Sequence, residues 1–142
     1  MLKNRFFILI VFSLIFISSC GDETAPDLIP LSYVNVDINL SNIQYQELRS
    51  DGGFIYIPEG FKGIIVYRES INRYRAFERA CTFDPHSTHE PVEVDSSRLF
   101  MIHRHCKSIY SFDGSPMGGP ASLSLREYYT HLDGNYLLIR NE

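Results

Sequence analysis

Gly63-Ile64-Ile65-Val66-Tyr67, followed after a polar break by Tyr74-Arg75-Ala76-Phe77-Glu78, is a pair of short runs rich in β-branched and aromatic residues. Such residues suit a pleated, half-buried surface and disfavour a helix, so the pair predicts two neighbouring strands. The same signature recurs outward in both directions. Strands are predicted over residues 33–39, 53–57, 63–67, 74–78, 91–94, 98–105, 109–112, 125–132 and 136–140, with Gly, Pro, Asn and Asp between them. Asp133-Gly134 between two apolar runs marks a tight hairpin near the C-terminus. Only residues 43–48 suggest a short helical turn, and neither a long amphipathic helix nor a fixed repeat is visible. The fold class expected is all-β: a small antiparallel sandwich or barrel.

Upstream of these strands the chain changes character. Lys3 and Arg5 precede an uncharged apolar run over residues 6–17, shorter than the roughly 20 residues of a membrane span. The run ends in small residues, which fits a cleaved signal peptide. Ile17-Ser18-Ser19-Cys20-Gly21 resembles the lipobox of bacterial lipoprotein signals, which implies that Cys20 is acylated and residues 1–19 are removed. The polar, acidic stretch that follows, including Asp22, Glu23, Pro26 and Asp27, reads as a tether over residues 20–32. An acidic cluster directly behind the lipid resembles the export signal of Bacteroidetes surface lipoproteins. The expected location is therefore the cell envelope, anchored to the outer membrane on its periplasmic or surface face.

Loss of Lys3 and Arg5 with the signal leaves 11 of the 13 basic residues against 17 acidic ones, a net charge of −6. An acidic surface without a basic stripe excludes nucleic acid as a partner. The expected partners are the membrane, through the lipid, and an unidentified envelope protein. Residues 33–142 are long enough for one domain with its own core.

A family resemblance spans residue 63 to the end. Tyr74 through Thr82 with Cys81, then Cys106, Ser111-Phe112-Asp113-Gly114, Gly118-Gly119-Pro120-Ala121 and Leu125-Arg126-Glu127-Tyr128 follow the order of a Rieske iron–sulfur domain. The upstream part, with Ile38-Asn39-Leu40-Ser41 and the Gly-rich strand pair, resembles the lipidated Rieske-like proteins of Bacteroidetes. The resemblance implies two ligand-bearing loops in a smaller subdomain, with Cys81 at the first thiolate position and Cys106 at the second. It implies a [2Fe–2S] cluster only if the ligands are complete, because a Rieske centre needs two thiolates on one iron and two imidazoles on the other. Phe83 and Ile109 stand at the imidazole positions. Aligning on Phe112-Asp113 instead puts His105 at the thiolate position and Ser108 at the imidazole position, and the set is still incomplete.

The resemblance further implies that Cys81 and Cys106 sit on neighbouring loops, close enough to form a disulfide outside the cytoplasm. Closing a loop of that length is worth about 3.5 kcal/mol on the chain-entropy model. No resident cofactor is expected; the alternatives are a two-iron cluster with an atypical ligand set, or zinc. Replacement ligands nearest in sequence are His86 and His105, with His89 and His103 in the same segments. Alternation along a strand would place His103 and His105 on one face and Arg104 and Cys106 on the other, which favours solvated histidines over a metal site. Asp84, Glu90, Glu93 and Asp95 make the first loop acidic, and Gly118-Gly119-Pro120 reads as the turn that seats the second loop. No nucleophile elbow, phosphate-binding glycine loop or zinc-protease helix is present. The function expected is a non-redox structural or binding accessory module without a cluster; the alternative is a Rieske-type electron carrier, and in neither case a stand-alone catalyst.

Overall fold

The computed structural model describes residues 29–141. The predicted signal peptide, Cys20 and most of the predicted tether lie outside them.

Among the described residues, ten strands form two antiparallel sheets. The larger sheet takes β1 (Asn35–Asn39), β2 (Phe54–Ile57), β3 (Ile64–Ser70), β4 (Arg73–Glu78), β9 (Glu127–Asp133) and β10 (Tyr136–Arg140) in the order β1-β10-β9-β4-β3-β2. The smaller takes β5 (Glu93–Val94), β6 (Met101–His103), β7 (Ser108–Tyr110) and β8 (Pro116–Gly118) in sequence order. A kinked 3-10 helix, Ile43–Arg49, connects β1 to β2 and buries Leu48.

β3 explains why its sequence is apolar at consecutive positions. Ile64 and Val66 face one buried cluster, with Ile38, Leu48, Ala76, Leu137 and Ile139, while Ile65 faces a second, with Phe77, Cys81, Met101 and Tyr110. A strand with a core on each face has no solvent side, so the usual polar alternation disappears. β3 and β4 therefore form the wall shared by the two sheets' cores, and β4 leads directly into the smaller subdomain.

That exit is fixed by a buried carboxylate. Glu78, at the end of β4, is fully buried. Its oxygens accept hydrogen bonds from the Phe61 N–H (2.7 Å), the Lys62 N–H (2.8 Å), the Ala80 N–H (3.2 Å) and the Tyr128 hydroxyl (2.7 Å). Burial and the bond to Glu78 push the Tyr128 hydroxyl pKa upward. Next in the chain, Arg79 donates from Nε to the Val92 carbonyl at 2.8 Å, its N–H bonds Gly63 and its carbonyl accepts from the Val92 N–H. Its guanidinium lies 4.2 Å from the centre of the Tyr56 ring. Both ends of the first loop, residues 82–91, are thus pinned to the larger sheet.

Four features differ from the sequence expectation, the first being that the strand predicted over residues 98–105 covers only Met101–His103. β8 is an additional strand, short and rich in Pro and Gly, tolerated because it is the edge of its sheet. The final hairpin pairs Asp133 with Tyr136 around Gly134 and Asn135, so the turn lies one residue later than Asp133-Gly134. Residues 29–32, read as the end of the tether, are held to the domain. Ile29 is buried, Arg126 donates to the Ile29 and Pro30 carbonyls, and Asn141 donates to the Ser32 carbonyl at 3.0 Å.

Candidate functional site

The strand predicted over residues 98–105 stops at His103, and the stop creates the site. The Lys107 N–H donates to the His103 carbonyl at 2.9 Å, closing a single turn over residues 103–107, and Lys107 takes a left-handed φ of 62°. Side chains three apart on such a turn lie side by side. Cys106 Sγ therefore comes back to 2.9 Å from His103 Nδ1. The expectation that His103 and Cys106 fall on opposite faces fails for this reason: strand alternation ends where the turn begins.

Opposite this turn, Cys81 follows the pinned exit from β4. Its Sγ lies 3.4 Å from Cys106 Sγ, a non-bonded contact, and both cysteines are free thiols. Cys81 is buried, Cys106 partly exposed and His103 only 1% exposed. One ligand atom from each of Cys81, His103 and Cys106 falls within 4.8 Å of the others.

Hydroxyls surround the sulfurs. Ser108 Oγ accepts the Ala121 N–H at 3.2 Å, which leaves its own proton for Cys106 Sγ at 3.0 Å. Thr82 donates its hydroxyl proton to the Leu123 carbonyl at 2.7 Å, and the Tyr110 hydroxyl accepts the Thr82 N–H at 3.3 Å. The Tyr110 proton then points toward Thr82 Oγ1 at 3.0 Å and Cys81 Sγ at 3.4 Å. Burial and the adjacent sulfur push the Tyr110 hydroxyl pKa up.

The two thiols are unlike each other. Burial pushes Cys81 up, but the Tyr110 hydroxyl and the backbone N–H groups of Phe83 and Asp84 outweigh it, so the net shift is downward. Burial pushes Cys106 up, and Ser108 offsets this only in part. Cys81 is the more readily ionised sulfur. Burial, with Lys62 and His105 nearby, lowers the His103 pKa, so the ring is a neutral imidazole at pH 7.

The histidines named from sequence sit elsewhere. His86 lies edge-on to Phe61, with ring centres 5.9 Å apart. His105 stacks on His89 at 3.4 Å and meets His103 only edge-on at 6.4 Å. Among the described residues neither His86 nor His105 belongs to the three-ligand group, and the imidazole that does is His103. The cue available in the sequence was His103-x-x-Cys106 at a hairpin turn.

A two-iron centre of the Rieske kind needs its imidazoles on the iron remote from the thiolates. Phe83, which the resemblance puts at the first imidazole position, is 55% exposed. Ile109, at the second, points toward Gly118, where an added Cβ would meet its Cδ1 at 4.0 Å. Among the described residues, the one imidazole of the three-ligand group rests against a sulfur, and the group offers two sulfurs and one imidazole where a centre of the Rieske kind uses two of each.

No protein-family model matches the chain, and no curated protein does. Among solved structures, the chain is similar to the plasma-membrane Rieske protein of the cyanobacterium Synechocystis, at 17% identity and a TM-score of 0.53 over 75% of this chain and 98% of that one. It is similar to the ferredoxin of carbazole 1,9a-dioxygenase from Nocardioides aromaticivorans, at 17% identity and a TM-score of 0.50 over 79% and 100%. A quaternary ammonium Rieske monooxygenase in complex with L-carnitine gives 18% and 0.53 over 78% of this chain and 32% of that one. The fold is that of a Rieske domain, with the Cys81, His103 and Cys106 group between the exit from β4 and the turn that joins β6 to β7.

Proposed function

We propose that this chain is a lipid-anchored envelope protein whose Rieske-like domain carries no iron–sulfur cluster and serves as a structural or binding accessory module. The observation that carries the reading is the convergence of Cys81, Cys106 and a single imidazole on one point, with Phe83 and Ile109 where a cluster needs the other donors. In the envelope an external disulfide oxidant first takes the partly exposed Cys106 into a mixed disulfide; the Cys81 thiolate then attacks Cys106 Sγ and expels the oxidant's second thiolate, so two thiols are oxidised as one disulfide is reduced. Cys20 holds the domain to the outer membrane through its lipid, by the lipobox that precedes it. The second reading, an electron carrier with an atypical ligand set, is favoured by one observation: the fold neighbours include a ferredoxin and a Rieske protein.

Mass spectrometry of the protein extracted from membranes, alkylated without reduction and digested, tests the proposal in one experiment. The expected products are an acylated peptide beginning at Cys20 and a cross-linked peptide pair containing Cys81 and Cys106. An unmodified residue 1–20 segment contradicts the lipid anchor, and two alkylated thiols accompanied by stoichiometric iron contradict the cluster-free reading.

A further inference from the structure

We propose that, with its sulfurs reduced, the same site binds a single divalent ion of the zinc type through Cys81 Sγ, Cys106 Sγ and His103 Nδ1. The proposal rests on the cluster-free reading and goes beyond it by assigning the site a ligand.

Ligand chemistry selects the ion. Two thiolates and an imidazole are soft and borderline donors that suit zinc, whereas calcium and magnesium demand oxygen. Geometry agrees in number and scale. Tetrahedral zinc with Zn–S of about 2.3 Å places two sulfurs about 3.8 Å apart. The sulfurs stand at 3.4 Å and the imidazole nitrogen at 2.9 Å from one of them, so a bound ion has to spread the two sulfurs by about 0.4 Å and the nitrogen from its sulfur by about 0.6 Å. A two-iron core, by contrast, would have to be inserted between groups that already touch.

The surroundings are those of a supported metal site. Nδ1 of His103 faces Cys106, and the ring also meets the backbone of Glu90. A ring nitrogen that donates to a carbonyl leaves its opposite partner as a lone pair aimed at the ion, the arrangement typical of ligating histidines. Ser108 and Tyr110 supply one hydroxyl to each sulfur, and each hydroxyl is oriented by an N–H of the opposite segment, Ala121 or Thr82. Cys106 is partly exposed, which provides an entry path, while His103 and Cys81 stay buried. Three protein ligands leave a fourth position for water.

Cobalt is the spectroscopic probe. Anaerobically reduced protein titrated with cobalt should develop sulfur-to-metal charge-transfer absorption and the visible bands of a tetrahedral ion, saturating at one equivalent. Zinc should then displace the cobalt. His103→Asn should weaken binding at least about 100-fold and Ser108→Ala about 10-fold, following the usual cost of lost ligands and their supports. His131→Ala, on β9 of the larger sheet and outside the group, should leave affinity unchanged, and the disulfide form should bind none. Absence of one-equivalent binding by the reduced wild-type chain overturns the proposal without requiring any variant to fold; equal affinity in folded His103→Asn overturns the ligand assignment. Two irons per chain in protein as isolated would instead overturn the cluster-free reading beneath it, so the two failures are distinguishable.

Discussion

Glu78→Ala should lower the unfolding free energy by about 3–5 kcal/mol, because it strips several buried donors of their acceptor at once. The carboxylate satisfies three backbone N–H groups and the Tyr128 hydroxyl. Truncation leaves these donors facing an apolar cavity, and each buried donor left unpaired costs about 1–3 kcal/mol. Water entering beside the partly buried Phe61 and Lys62 amides recovers part of that sum. Glu78→Gln keeps the shape but turns an amide NH2 toward groups that also donate, so its loss should lie between wild type and Glu78→Ala. The Ala80 bond matters most for the site, because it fixes the backbone immediately before Cys81. Denaturant unfolding measures the loss, and a midpoint within experimental error of wild type would show that Glu78 is not the keystone of the exit from β4.

Gly119→Ala should cost about 2–4 kcal/mol, combining left-handed strain of about 1 kcal/mol with the overpacking cost of about 1–3 kcal/mol. At Gly119 φ is +83°, and an added Cβ would sit 2.4 Å from the Lys107 carbonyl oxygen and 2.6 Å from Ser108 Cα. Both are backbone atoms of the turn that carries Cys106, so relief requires moving that turn. Ser108 would then lose its place between Ala121 and Cys106, and cross-linking of Cys81 to Cys106 should slow in step with the stability loss. Gly134→Ala is the internal control. Its φ is also positive, +57°, but nothing lies within 4 Å of the added Cβ, so only the strain remains. Equal losses at the two glycines would mean that close approach of the Gly118-Gly119-Pro120 turn does not seat the second loop.

Much of the fold could be read from the chain because strands with one or two buried faces announce themselves. The apolar runs of β3, β4 and β10 fall where the structure has strands, to within a few residues. β8 escaped notice because Pro116-Met117-Gly118 has no strand propensity and is held in place only by pairing with β7. At the site, the closeness of Cys81 and Cys106 could be expected from family order, not from spacing: the residues between them carry no periodic signal. The imidazole was missed for a different reason. Alternation along a strand separates His103 from Cys106, and only the hydrogen bond from Lys107 back to His103, with its left-handed residue, reverses that parity. His105, nearer to Cys106 in sequence, is carried outward by the same turn onto His89.

The most direct test of a Rieske fold without its cluster is the visible absorption spectrum of the domain purified anaerobically, read together with iron and acid-labile sulfide content. A colourless protein containing neither iron nor sulfide is the predicted result. Broad visible bands with two irons and two sulfides per chain, and a paramagnetic signal on reduction, would contradict the account and would require imidazoles other than His103 to reach the site.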